Sequence, residues 1–238
     1  MEERCPACGA ASAAQPCPKC GATPGKPAAR RVPLEPPRAD PLPQALWQTW
    51  RQATLTPRAF FAAVVGTRSL GWPLLYAVVC WLLLAAANAL IQQPLLARIE
   101  PQLSYQGRVV IGFARTSPEA ITVSFLVLPV LLAPLLCLWA GLLHVLLALV
   151  GGAAGGYAVT LRVLCYAAGS TALWLVPVVG PLLAAGWGGV LLVIGLARAH
   201  QTEPWRSAFA VLTPLVASAL GLAALLFWAA AVLLRGTG

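Results

Sequence analysis

Carboxylates are scarce in this chain. Only seven Asp and Glu occur among 238 residues, and the stretch between Glu119 and Glu203 holds none. A relay of buried carboxylates for protons or sodium, the usual coupling device of secondary transporters, is therefore missing from the apolar body. Histidine is nearly as rare, represented by His144 and His200. Ser170 has no acid and base partners at a recognisable spacing, which argues against a serine hydrolase. Gly151, Gly152, Gly155 and Gly156 lack the Lys-Ser/Thr ending of a phosphate loop and the preceding strand of a dinucleotide site. The amino-terminal stretch is polar and Cys-rich and does not resemble a signal peptide, so the first span is expected to act as its own insertion signal.

What is abundant is oil. Hydrophobic residues make up 59% of the chain, charged residues 10%, and the mean hydropathy is +0.79, more than a soluble core requires. The net charge of +9 is concentrated outside the apolar part: nine of the sixteen basic residues precede position 70. Their role is read as orientation and attraction to anionic lipid, and nucleic acid is not favoured as a partner.

The longest uncharged run decides the topology. Residues 163–197, between Arg162 and Arg198, carry no charge. One straight helix of that length would reach about 52 Å, against roughly 30 Å of hydrocarbon. Pro177, Gly180 and Pro181 punctuate its centre, which predicts a helical hairpin with both arginines on one side. That side is expected to be the cytoplasm. The whole chain is read as an all-α polytopic membrane protein with five transmembrane helices, about 70–96, 121–150, 158–178, 181–198 and 208–234. The 121–150 run is too long for an upright crossing and is expected to tilt, kink at Pro129 and Pro134, or lie partly in the interface. Counting basic residues gives nine before the first span plus Arg162, Arg198 and Arg206 inside, against Arg98, Arg108, Arg115 and Arg235 outside. An amino terminus inside and a carboxyl terminus outside the membrane follows.

Ahead of the membrane domain, 69–238, three stretches differ in texture. In residues 1–26, Cys5, Cys8, Cys17 and Cys20 form C-x2-C-x8-C-x2-C, a spacing that offers four thiolates to one tetrahedral structural Zn2+. Two disulfides or a redox pair are the competing readings, disfavoured in a reducing compartment. Four protein sulfurs leave no place for a catalytic water. Residues 27–45 are rich in proline and read as a flexible linker. Residues 46–68 read as an amphipathic juxtamembrane segment, in which Thr56 can cap and Pro57 can open a helix bearing Phe60, Phe61, Val64 and Val65.

Few polar residues interrupt the spans. His144 and Asn88 form a possible intramembrane polar site, with a structural hydrogen bond the plainer role for His144. Tyr157, Arg162, Tyr166, His200 and Glu203 can cluster at the cytoplasmic face, as a lipid-headgroup or partner site or as anchors that snorkel and pair among themselves. Cys80, Cys137 and Cys165 read as small hydrophobes.

The run LLHVLLALVGGAAGGYAVTLRVLCYAAGSTALWLVPVVGPLLAAGWGGVLLVIGLARAH and the following AVLTP resemble the bacterial branch of the Yip family. The resemblance covers roughly Thr56 to Leu234, with His144, the paired glycines, Tyr157, Arg162, Cys165, Tyr166, Pro177, Gly180, Gly195 and His200 in order. It implies a five-span helical body in a bacterial inner membrane, a cytosolic amino terminus often carrying a zinc ribbon, and association with itself or a related membrane protein. The DLYGP-type signature of eukaryotic members is absent, so GTPase partnership is not carried over. The function expected is a non-enzymatic scaffold or adaptor, with a cytosolic protein contacted through the ribbon. The alternative is a small-solute permease or channel lined by His144 and Asn88.

Overall fold

The computed structural model describes residues 32–36, 40–66, 69–99, 104–105, 108–109, 117–176 and 179–236. Five helical stretches among them are long and apolar enough to cross a bilayer: Gly71–Leu95, Pro129–Leu149, Tyr157–Leu175, Gly180–Ala199 and Pro204–Leu225. Two shorter helices precede them, α1 (Leu42–Leu55) and α2 (Pro57–Ala63).

The first crossing is α3 (Gly71–Ala87), continued through a π-helical turn at Asn88–Gln92 into α4 (Gln93–Ile99). A two-residue ladder follows, β1 (Ser104–Tyr105) antiparallel to β2 (Arg108–Val109). The long second apolar run breaks in two, α5 (Pro118–Leu126) and α6 (Leu128–Leu149). Pro129 explains the break: it has no N–H to give to the carbonyl of Phe125, and its ring would crowd that carbonyl. One crossing, α6, is left, as the length argument required.

Along α6 the division between lipid and protein is periodic. Leu135, Leu138, Leu142, Val145 and Leu149 are exposed, while Ala140, Leu143 and Leu147 are buried. Steps of three and four residues put each set on its own helical face. The exposed face is the one that hydrocarbon covers.

The hairpin is there. α7 (Tyr157–Ala167) runs into a 3-10 stretch, Ala168–Leu175, and α8 (Gly180–Ala199) returns. Where the winding changes, the Gly169 carbonyl accepts a bond from Trp50 Nε1 of α1 at 2.9 Å. At the bend, a Cβ on Gly180 would lie 2.7 Å from the Leu173 carbonyl oxygen. Only glycine fits there. The last crossing is α9 (Pro204–Gly236).

The core forms around α7, not around the oiliest helices. Tyr166 is fully buried and stands edge-on to Phe60 at 5.2 Å and tilted against Tyr76 at 5.4 Å. α2 closes this core by seating Phe61 over Gly195 of α8, where a Cβ would meet Val163 Cγ1 at 2.6 Å. Thr56 does not cap α2 with its side chain: its hydroxyl bonds back to the Gln52 carbonyl at 3.1 Å. Pro57 opens the helix as expected.

One part of the expected linker is docked. Val32 is 1%, Leu34 0% and Glu35 4% exposed. Pro33 sits at the second position of a turn closed by Glu35 N–H to Val32 O at 3.0 Å, and Leu34 N–H donates to Thr49 Oγ1 of α1 at 3.1 Å. Burying two aliphatic side chains contributes roughly 1.5–3 kcal/mol each, enough to hold a short segment that has no regular structure. α1 also starts inside the linker range, at Leu42. The free tether expected over 27–45 is thus restricted by these contacts, because Val32 and Leu34 alternate on one side of a proline turn.

Candidate functional site

α7 carries polar groups on two of its faces, and each face is tied to a different part of the chain. Arg162 and Tyr166 stand one turn apart and so point the same way. Between them sits Glu35. Arg162 Nη2 lies 2.6 Å from Glu35 Oε1 and 2.9 Å from Oε2, and the Tyr166 hydroxyl donates to Oε1 at 2.6 Å. The side chains of Arg162 and Glu35 are each 2% exposed. A buried ion pair repays its desolvation only with good geometry and further hydrogen bonds, and here the carboxylate has both. The chemistry of this clamp is recognition of a carboxylate within protein.

On the other face, Thr160 joins the two histidines. His200 Nε2 and His144 Nδ1 each lie 3.0 Å from Thr160 Oγ1, and the backbone N–H of Gly155 points at His200 Nδ1 at 3.0 Å. That amide can only donate, so His200 Nδ1 accepts and its proton is on Nε2. Gly155 N–H thus donates to His200 Nδ1 and His200 Nε2–H to Thr160, whose hydroxyl is also within hydrogen-bond distance of His144 Nδ1. Burial, reinforced by the proximity of His144, pushes His200 down to about 4 from its ordinary 6.5. The group is held neutral. It pins the glycine loop before α7, where Gly156 has φ 79°, against the end of α8.

The expected five-residue cluster is therefore divided. Tyr157 joins the histidine side: its ring lies edge-on to His144 at 6.1 Å and its hydroxyl donates to the Cys137 carbonyl at 2.8 Å. Arg162 and Tyr166 belong to the Glu35 clamp. Glu203 stands apart on the surface, accepting from Trp205 Nε1, with Arg206 Nε at 3.8 Å. Arg206 also donates to the Gly151 carbonyl at 2.9 Å and lies over the Trp205 ring. Asn88 and His144 have separate partners, since Asn88 Oδ1 accepts from Gln93 Nε2 at 3.4 Å within its own helix. Gln92 donates its side-chain amide to the Trp174 carbonyl.

Glu35 and Thr160 were not among the residues singled out from sequence. Glu35 is separated from Arg162 by 127 positions, and the faint signal was an acidic residue beside alternating Val32 and Leu34. Cys5, Cys8, Cys17 and Cys20 lie outside the described residues. Among the described residues, no group of three or more His, Cys, Asp or Glu side chains could hold a metal ion.

Membrane-length helices, lipid-facing stripes and a polar core strung along the third crossing define a polytopic helical membrane protein. Residues 52–237 match the Yip1 domain, and the chain belongs to that family. No curated protein and no solved structure matches it.

Proposed function

We propose that this protein is a non-enzymatic membrane scaffold or adaptor whose amino-terminal segment contacts a cytosolic protein while the Yip1 body lies in the bilayer. In this reading residues 1–26 hold one structural Zn2+ through Cys5, Cys8, Cys17 and Cys20, the membrane is a bacterial inner membrane, and the amino terminus is cytoplasmic. The observation that carries it is the Glu35 clamp. It fixes the chain fifteen positions after Cys20 to the buried face of α7, and fifteen residues reach at most about 50 Å. A presenting segment is useful to an adaptor when it is held near the body, and the clamp supplies the hold. The twelve basic residues on the side of Arg162, Arg198 and Arg206, against four on the other, support the orientation. No contact joins His144 to Asn88 among the described residues, so nothing favours the permease reading.

Two measurements test the proposal on the full chain. Elemental analysis of reduced protein is expected to give about one zinc per chain, lost in Cys5→Ser with Cys17→Ser. Pull-down is expected to recover a partner with the wild-type chain and not with that double variant. Capture that is indifferent to the cysteines would remove the ribbon as the recognition element.

A further inference from the structure

The clamp joins a residue outside the family domain to two inside it. Glu35 precedes the matched stretch 52–237, whereas Arg162 and Tyr166 lie within it. Residues 32–36 meet the body as a bound peptide would. Val32 and Leu34 are apolar anchors, Pro33 sets a turn, one amide donates to Thr49 Oγ1, and a carboxylate is seated on a guanidinium and a phenol.

We propose that Thr49, Arg162 and Tyr166 form a binding site for a short peptide of the pattern apolar-Pro-apolar-Glu. The chain fills it with its own Val32–Pro36 and yields it to the same pattern presented by a partner protein. The recognition follows from the contacts. Glutamate is required because an amide in its place leaves the buried guanidinium without its counter-charge. A phosphate or an anionic lipid headgroup could answer that charge, but would leave the seats of Val32 and Leu34 and the Thr49 hydroxyl empty. Peptide is therefore the favoured ligand. The self-ligand makes the site autoinhibited: an incoming peptide competes with a segment tethered close by, so it binds well only once residues 32–36 have left. This rests on the adaptor reading for its biological sense, and on the clamp alone for its chemistry.

The test uses the full chain in lipid nanodiscs and a fluorescent synthetic peptide of residues 30–37. Leu34→Ala with Glu35→Ala vacates the site, and the peptide is expected to bind this variant about tenfold or more tighter than the wild type. A similar loss is expected when the peptide carries Gln for Glu, or when Arg162→Gln is added to the vacated chain. Should the vacated chain not fold, the wild type is cut after folding at a protease site inserted between residues 36 and 41. The severed amino-terminal piece is expected to remain bound, to leave on addition of excess peptide, and to stay when the peptide carries Gln. Equal binding of the Glu and Gln peptides, displacement by inorganic phosphate or anionic vesicles as effective as by peptide, or a severed piece that leaves unaided would overturn the proposal. Zinc-dependent partner capture that persists after such a result would leave the adaptor reading standing.

Discussion

The third and last crossings invert the rule familiar from soluble proteins. Tyr157–Leu175 is the least apolar of the five crossings, yet 61% of its apolar part is buried inside the protein, against 17% in the oilier Pro204–Leu225. The least oily helix is the one most enclosed by protein. Hydrocarbon is as good a solvent for leucine as another leucine is, so an apolar face gains little from protein contact, whereas Thr160, Arg162, Tyr166 and Ser170 must find partners or suffer desolvation. Polar side chains, not apolar ones, determine which helix occupies the centre.

Breaking one member of the Glu35 clamp should have the largest effect. Arg162→Met or Glu35→Leu alone leaves a buried charge uncompensated and is expected to cost about 3–5 kcal/mol in thermal or denaturant unfolding in detergent, while the double change should cost far less than the sum. Additive losses would show that the two side chains do not act as a pair.

Next comes the histidine side, whose effect depends on pH. His200 is depressed in the folded state to about 4 from 6.5, so the unfolded chain takes up its proton first as the solution acidifies. Its contribution is complete above pH 6.5, declines as pH falls from there to about 4, and changes no further below, a loss of about 3 kcal/mol. His200→Gln should flatten that part of the stability profile. A profile unchanged by the substitution would mean that His200 is not held neutral.

Packing on the same helix gives a somewhat smaller effect. Gly195→Ala pushes a methyl to within 2.6 Å of Val163 Cγ1 and 3.2 Å of the Phe61 ring, and is expected to cost about 1–3 kcal/mol by moving α2 off α8. Increased protease sensitivity of the α2 segment would report the movement. At the far end of the scale, Leu220→Ala and Leu222→Ala in the exposed stretch 215–225 of α9 should change unfolding in lipid by less than about 0.5 kcal/mol. A loss as large as that at Gly195 would mean protein rather than lipid covers this stretch.

Most of the architecture could be read from the chain because length against bilayer thickness is a strong constraint. The uncharged run after Arg162 had to fold back, and Thr160 now touches His200 across the hairpin. The polar sites were less legible. Arg162, Tyr166, His144 and His200 stood out as rare groups in oil, but rarity names candidates without pairing them. Tyr166 and Arg162 share a face, which helical spacing could show; that Glu35 fills the space between them depends on a tertiary contact with no local signature. The winding change at Ala168–Leu175 was equally hidden, and the Trp50 side chain bonded there comes from another helix.

The shortness of the stretch from Cys20 to the clamp has a consequence for affinity. Under the adaptor proposal, a protein gripped by the amino-terminal segment is confined to a shell of about 50 Å, where its effective concentration at the bilayer face is in roughly the millimolar range. A second contact with a Kd of about 0.1 mM, negligible between free molecules at cellular levels, would then be mostly occupied. Weak and quickly reversed grips are sufficient for a molecule built on so short a leash.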